Sequence, residues 1–273
     1  MKKTIAAVIL AFVLVNFMGC NSCSNNVSTK KTKNALERQK DTIEKEIPKH
    51  VYPLPTSAEV IKKLTDFEVG YRFGITNPIE NVKKYFKNDT RSINLGVFGA
   101  DLSYVTLYNI MQQVTDYMDV IRILATDLNM AKIYDAALYD SIKVNFDNKD
   151  KLVKILTKSF DDTYAYMSDN DQQALALLVV GGAWVEGMYL TTQVSEAAYQ
   201  VADFSKVLLE QKQSFEVYLD LTKHFMDVSM ISDFINKLDP IKKVYSGLGT
   251  SLTLEDIKNI TLAITKIREE IVK

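Results

Sequence analysis

Over residues 101–129 the chain places Leu102, Val105, Tyr108, Met111, Val114, Met118, Ile121, Leu124 and Leu128 three or four positions apart, with no Gly or Pro between them. That is the 3.6-residue period of a helix with one apolar face, and it predicts a single long helix there. The same spacing recurs along most of the chain downstream. Only 10 Gly and 5 Pro occur in 273 residues, so the residues that punctuate strands and turns are scarce. No stretch sustains the two-residue alternation of a strand. These features predict an all-α fold of about eight helices, with long antiparallel neighbours packed as a bundle.

Start signals place several of the helices. Thr56 and Glu59 have the T-x-x-E spacing of a capping box, followed by Val60, Leu64 and Phe67 at helical intervals. Asn77-Pro78-Ile79-Glu80 reads as an Asn cap with Pro at the first helical position, and Val82, Tyr85 and Phe86 form the apolar face. A helix is expected over residues 131–146, and Asp147 to Asp150 cap the next, whose inward face is Leu152, Ile155, Leu156, Phe160, Tyr164 and Met167. After a turn at residues 168–171, helices are expected through about Ala198 and over residues 203–228, 230–237 and 253–272. In the last, Ile257, Ile260, Ile264, Ile267 and Ile271 make a seam with coiled-coil spacing. Packing against the domain accounts for so short a seam; self-association through this C-terminal helix is the alternative.

The N-terminus carries a different kind of signal. Lys2 and Lys3 precede an apolar run, "TIAAVILAFVLVNF", of about the length of a signal-peptide core and shorter than the roughly 20 residues that span a bilayer. Phe17-Met18-Gly19-Cys20 then resembles the bacterial lipobox. That resemblance implies cleavage before Cys20 and acylation of it. Cys20 and Cys23 also have C-x-x-C spacing, but a zinc site needs two more ligands, and His50 and His224 show no ligand spacing. Several acyl chains anchor a protein stably where one does not. Asn21 and the lack of an acidic tract after it point, by the same resemblance, to the periplasmic face of the outer membrane. The expected division is a signal peptide at residues 1–19, a lipidated tether at 20–53 closed by Pro53 and Pro55, and one all-α domain at 54–273.

The most unusual internal segment is "ALALLVVGGAWVEGMYLTT", residues 174–192. Its apolar run is too short for a span, and its paired glycines cost helix stability unless a neighbouring backbone comes close. It reads as the central buried helix. Glu186 within it needs a partner or a proton. Upstream, Gly96, Asp101, Tyr104 and Thr106 repeat the spacing of Gly181, Glu186, Tyr189 and Thr191. If the chain comprises two related helical halves, Asp101 and Glu186 meet near their axis. With Tyr104 and Tyr189 they would form a candidate site for a cation, an amine or acid–base work. The plainer reading is chance, with each acid satisfied by a nearby Lys, Arg or Tyr. Asp161-Asp162 and Asp169-Asn170-Asp171 lack the Gly and the twelfth-position Glu of a calcium loop, so no metal site is expected. No nucleophile motif, phosphate loop or dinucleotide fingerprint occurs, which argues for neither enzyme chemistry nor a cofactor. A 47% hydrophobic chain with a formal net charge of -1 argues against nucleic-acid binding.

With "YPLPT", "NPIENVKKYF", "NLGVFGADLSY" and "GGAWVEGMYLTT", the chain resembles helical lipoproteins of Bacteroidota-type bacteria. The resemblance implies location and fold and carries no activity. The expected function is a non-enzymatic envelope accessory or scaffold docking on another envelope protein or complex, or alternatively a small-molecule or lipid-binding helical module.

Overall fold

The computed structural model describes residues 53–193 and 202–273; Cys20, Cys23, the signal segment and residues 20–52 of the expected tether lie outside them. Among the described residues every regular element is helical, so the fold is all-α. In chain order the α-helices are α1 (Ser57–Asp66), α2 (Asn88–Leu107), α3 (Met111–Asp127), α4 (Ala136–Val144), α5 (Lys149–Asp169), α6 (Gln173–Thr192), α7 (Ala202–Thr222), α8 (Ser229–Lys237), α9 (Asp239–Ser246) and α10 (Leu254–Ile271). Short 3-10 turns cover Ile79–Lys84 and Lys223–Phe225.

The centre is the pair α2 and α6, each helix's most extensive partner. Every residue of α2 from Ser92 to Leu107 is buried, and on α6 every residue from Ala176 to Thr192 except Tyr189. Helices so apolar all round belong in the interior of a fold. The glycines let the two backbones touch. A β-carbon on Gly96 would run into the carbonyl of Val179, and one on Gly182 into the carbonyl of Ile93. Gly181, the echo partner of Gly96, instead faces Tyr218 and Phe234. The two echo segments therefore share spacing but not a packing role. The segment expected to be too short to span a membrane is a 20-residue helix apolar enough to do so, yet 83% of its most apolar window is buried inside the fold.

Around this pair lie α1, α3, α5 and α10. The capping box of α1 forms as expected: Thr56 N–H donates to Glu59 Oε2 at 2.7 Å, and Glu59 N–H to Thr56 Oγ1 at 3.4 Å. Asn148 accepts from Lys151 N–H at 3.0 Å to open α5. The isoleucine seam of α10 is buried at all five positions, packed toward α6 and α9. Each fully buried Ile contributes about 1.5–3 kcal/mol.

Three expectations are corrected. The helix over residues 101–129 is two helices. Asn109 takes φ +60°, Ile110 N–H reaches Val105 O at 2.9 Å, and α3 starts afresh at Met111. A left-handed Asn closes a helix as Gly commonly does, and Asn129 (φ +63°) closes α3 in the same way. Second, Asn77 does not cap a helix. Its side chain donates to Tyr85 Oη at 3.1 Å and accepts from Asn81 Nδ2 at 2.7 Å, and only a six-residue 3-10 turn follows. Third, residues 238–246 hold an additional helix, α9, opened by Pro240 at its first turn.

Candidate functional site

Asp101 on α2 and Glu186 on α6 are both fully buried. The close crossing at Gly96 and Gly182 brings their carboxyl groups together, one helical turn or so further along each helix. Arg268, in the last turn of α10, binds Glu186 through two parallel hydrogen bonds, Nε to Oε2 at 3.1 Å and Nη2 to Oε1 at 3.2 Å. Nη2 also donates to Ile75 O at 3.3 Å, and the guanidinium sits 4.6 Å from the Tyr189 ring centroid. Asp101 Oδ2 accepts from the backbone N–H of Asn77 at 3.1 Å. Asp101 Oδ1 is buried and meets no donor among the described residues.

Two carboxylates and one guanidinium leave a net negative charge in a dry interior, which is costly. Burial, and then the charge of Glu186, push Asp101 well above the usual carboxylate range. Burial also raises Glu186, while Arg268 opposes the rise. The proton therefore belongs on Asp101. With a proton there, Asp101 can donate to the Glu186 carboxylate beside it, which in turn holds Arg268. Such a cluster is neutral, and burial of Asp101 then costs less.

A ring of neutral groups completes it. Tyr117 Oη donates to Asn77 O at 2.9 Å, fixing the segment whose N–H holds Asp101. Tyr85 Oη donates to Val272 O at 3.1 Å, and Asn94 Nδ2 to Ile271 O at 2.9 Å. These caps satisfy carbonyls that the C-terminal end of α10 would otherwise leave bare. Burial raises the Tyr85 phenol to about 12, so it remains a neutral donor.

Of the four residues singled out from sequence, Asp101, Glu186 and Tyr189 lie in this cluster, Tyr189 through Arg268. Tyr104 does not. Its hydroxyl accepts from Arg72 N–H at 2.9 Å, and its ring stacks 5.1 Å from Tyr71. Arg268 was not singled out from sequence, and Asn77 was expected only as a helix cap, not as a partner of Asp101. Arg268 carries one usable signal: it follows Ile264 by four residues and adjoins Ile267, so it flanks the buried seam. Among the described residues no three His, Cys, Asp or Glu side chains converge as a metal site. Asp162 is paired with Lys158 at 2.6 Å, and His224 is exposed.

A cleft between α1, α6 and α7, lined by Ser57, Trp184, Met188 and Gln211 among others, has a volume of about 10 Å³. That is about one water molecule's room. Comparison with protein-family models, with curated proteins and with solved structures finds no match, so the functional reading rests on the chain's own residues.

Proposed function

We propose that this chain is a non-enzymatic interaction protein of the cell envelope, lipid-anchored at the outer membrane through acylated Cys20 and docking on another envelope protein. It resembles helical lipoproteins of Bacteroidota-type bacteria in the lipobox and in segments such as "NLGVFGADLSY" and "GGAWVEGMYLTT". The observation that carries the non-enzymatic part is the sealing of the chemically richest cluster. The Glu186 side chain is 0% exposed and that of Arg268 12%. Groups that catalyse must meet a substrate, whereas among the described residues this cluster meets its own helices and the backbone of Ile75 and Asn77, and fastens α10 to the core. A cleft of about 10 Å³ likewise suits no ligand of metabolite size.

The test has two arms. Labelling cells with an alkyne fatty acid should tag the full chain, and Cys20→Ala should abolish the tag. Photo-crosslinkers placed at exposed apolar positions such as Leu262 and Val217 should give one discrete heteromeric adduct in native membranes. Monomer alone at every position sinks the docking reading; label retained in Cys20→Ala sinks the anchor.

A further inference from the structure

The two exposed phenylalanines of the described residues, Phe73 (78%) and Phe86 (74%), both fall in the segment joining α1 to α2. Phe86 stands among three exposed lysines, Lys83, Lys84 and Lys87, in the sequence "KKYFK". None of the three pairs with a carboxylate among the described residues. From Arg72 to Arg91 there are five cationic and two acidic residues. Asp89 Oδ1 is taken by Thr90 N–H at 2.7 Å, and Glu80 is exposed.

The exposure of Phe86 is built in. Tyr85, its neighbour, is 3% exposed and is held by Asn77 Nδ2 and by the Val272 carbonyl. Arg91 Nε donates to Tyr85 O at 3.2 Å while its guanidinium pairs with Asp127 at 3.0 Å. The backbone of residue 85 is thus fixed from both sides. With Tyr85 turned inward in an extended C-cap, the side chain of residue 86 must turn outward. A fixed, outward aromatic ring, flanked in sequence by three exposed lysines, would be a liability in water alone.

We propose that Lys83, Lys84, Phe86 and Lys87 form a contact with an anionic lipid surface, the ring entering the interfacial layer and the lysines meeting headgroup phosphates. Aromatic rings partition at the headgroup level, and each nearby Lys adds electrostatic attraction to an acidic bilayer. One exposed ring with three exposed lysines close to it in sequence suits a fluid, anionic interface, whereas a protein partner would have to supply a matching pocket. The contact rests on the anchored reading for the presence of a bilayer, not for its own chemistry.

The experiment uses the full chain carrying Cys20→Ala, so that acylation plays no part, with Phe86→Trp as a local reporter and the Trp184 signal subtracted using the Cys20→Ala parent. Vesicles of equal parts phosphatidylglycerol and phosphatidylcholine containing brominated lipid should quench and blue-shift the new indole; phosphatidylcholine alone should not. Each of Lys83→Gln, Lys84→Gln and Lys87→Gln should weaken the quenching-derived partitioning about fivefold. An indole unquenched on anionic vesicles overturns the proposal, as does equal quenching on neutral ones. A blue shift seen only with envelope extract assigns the tip to a protein and overturns it too. Failure of acylation at Cys20 is read separately, by fatty-acid labelling.

Discussion

The centre of the molecule and its C-terminal edge are stabilised in different ways. In α2 and α6 nearly every residue is buried, so no apolar face distinguishes them, and their fit depends on missing β-carbons at Gly96 and Gly182. In α10 one face carries five buried isoleucines and the other is wet. The edge gains from area, which tolerates small changes of shape. The centre depends on backbone contact and on charge balance, which do not. The two meet at Arg268, where the edge supplies the cation that the centre lacks.

The largest break should come from that link. Arg268→Ala leaves Glu186 buried without its cation, and a loss of about 3–5 kcal/mol in denaturant unfolding is expected. Lys158→Ala, which removes the exposed pair with Asp162, should cost under about 1 kcal/mol. If the two variants lose equal stability, the centre does not depend on charge balance.

Gly182→Ala sharpens the backbone half of the contrast. Helix propensity favours Ala by about 1 kcal/mol, but the new carbon meets the Ile93 carbonyl. A net loss of about 1–3 kcal/mol in thermal unfolding is expected. Gly249→Ala, with open space around it, should stay within about 0.5 kcal/mol of the parent.

At the edge, Thr253→Ala removes the capping box of α10, in which Thr253 Oγ1 accepts from Asp256 N–H at 3.1 Å. About 1 kcal/mol should be lost, and hydrogen exchange should rise in the first turn of α10 while the centre stays protected.

The smallest effect at low pH is expected from Asp101→Asn, whose amide still donates to Glu186. Asp101 binds its proton more tightly folded than unfolded. Its contribution is therefore complete below the ordinary carboxylate range and is lost as pH rises through its elevated folded value. The titratable and polar groups that feel it are Glu186, Arg268, the Asn77 amide and the phenols of Tyr117, Tyr85, Tyr71 and Tyr189. In pH-dependent melts the Asn variant should match the parent in acid and surpass it as pH rises. Parallel curves at all pH values would mean that Asp101 carries no proton.

Much of the fold was legible because its signals are local. Thr56 with Glu59, Asn148 before α5, and the isoleucine spacing of α10 are patterns within a few residues, and each forms as expected. The pairing of Asp101 with Glu186 was legible only as an echo, since two lone acids in apolar helices must find something. The break at Asn109 was hidden because Tyr108 and Met111 keep the helical spacing across it, and an Asn in the left-handed region leaves no Gly to mark the stop. Arg268 was hidden for the opposite reason. Its partner is 82 residues away in the chain, and the exposed Glu269 and Glu270 beside it make it look like an ordinary surface charge. Tyr104 shows the limit of spacing arguments: it lies three residues from Asp101 on one helix, yet the segment before the 3-10 turn claims its hydroxyl.

The hydrogen bond from Tyr85 to the carbonyl of Val272 joins residues 187 apart in sequence. Such long loops close late, since their entropy is lost before their contacts are gained. In a species where α2 and α6 have paired and closed over Glu186 before α10 arrives, Glu186 has no cation and takes up a proton. Seating α10 then expels that proton to solvent, so the final step of assembly is an acid-releasing one, and acidity should favour chains whose last helix has yet to dock.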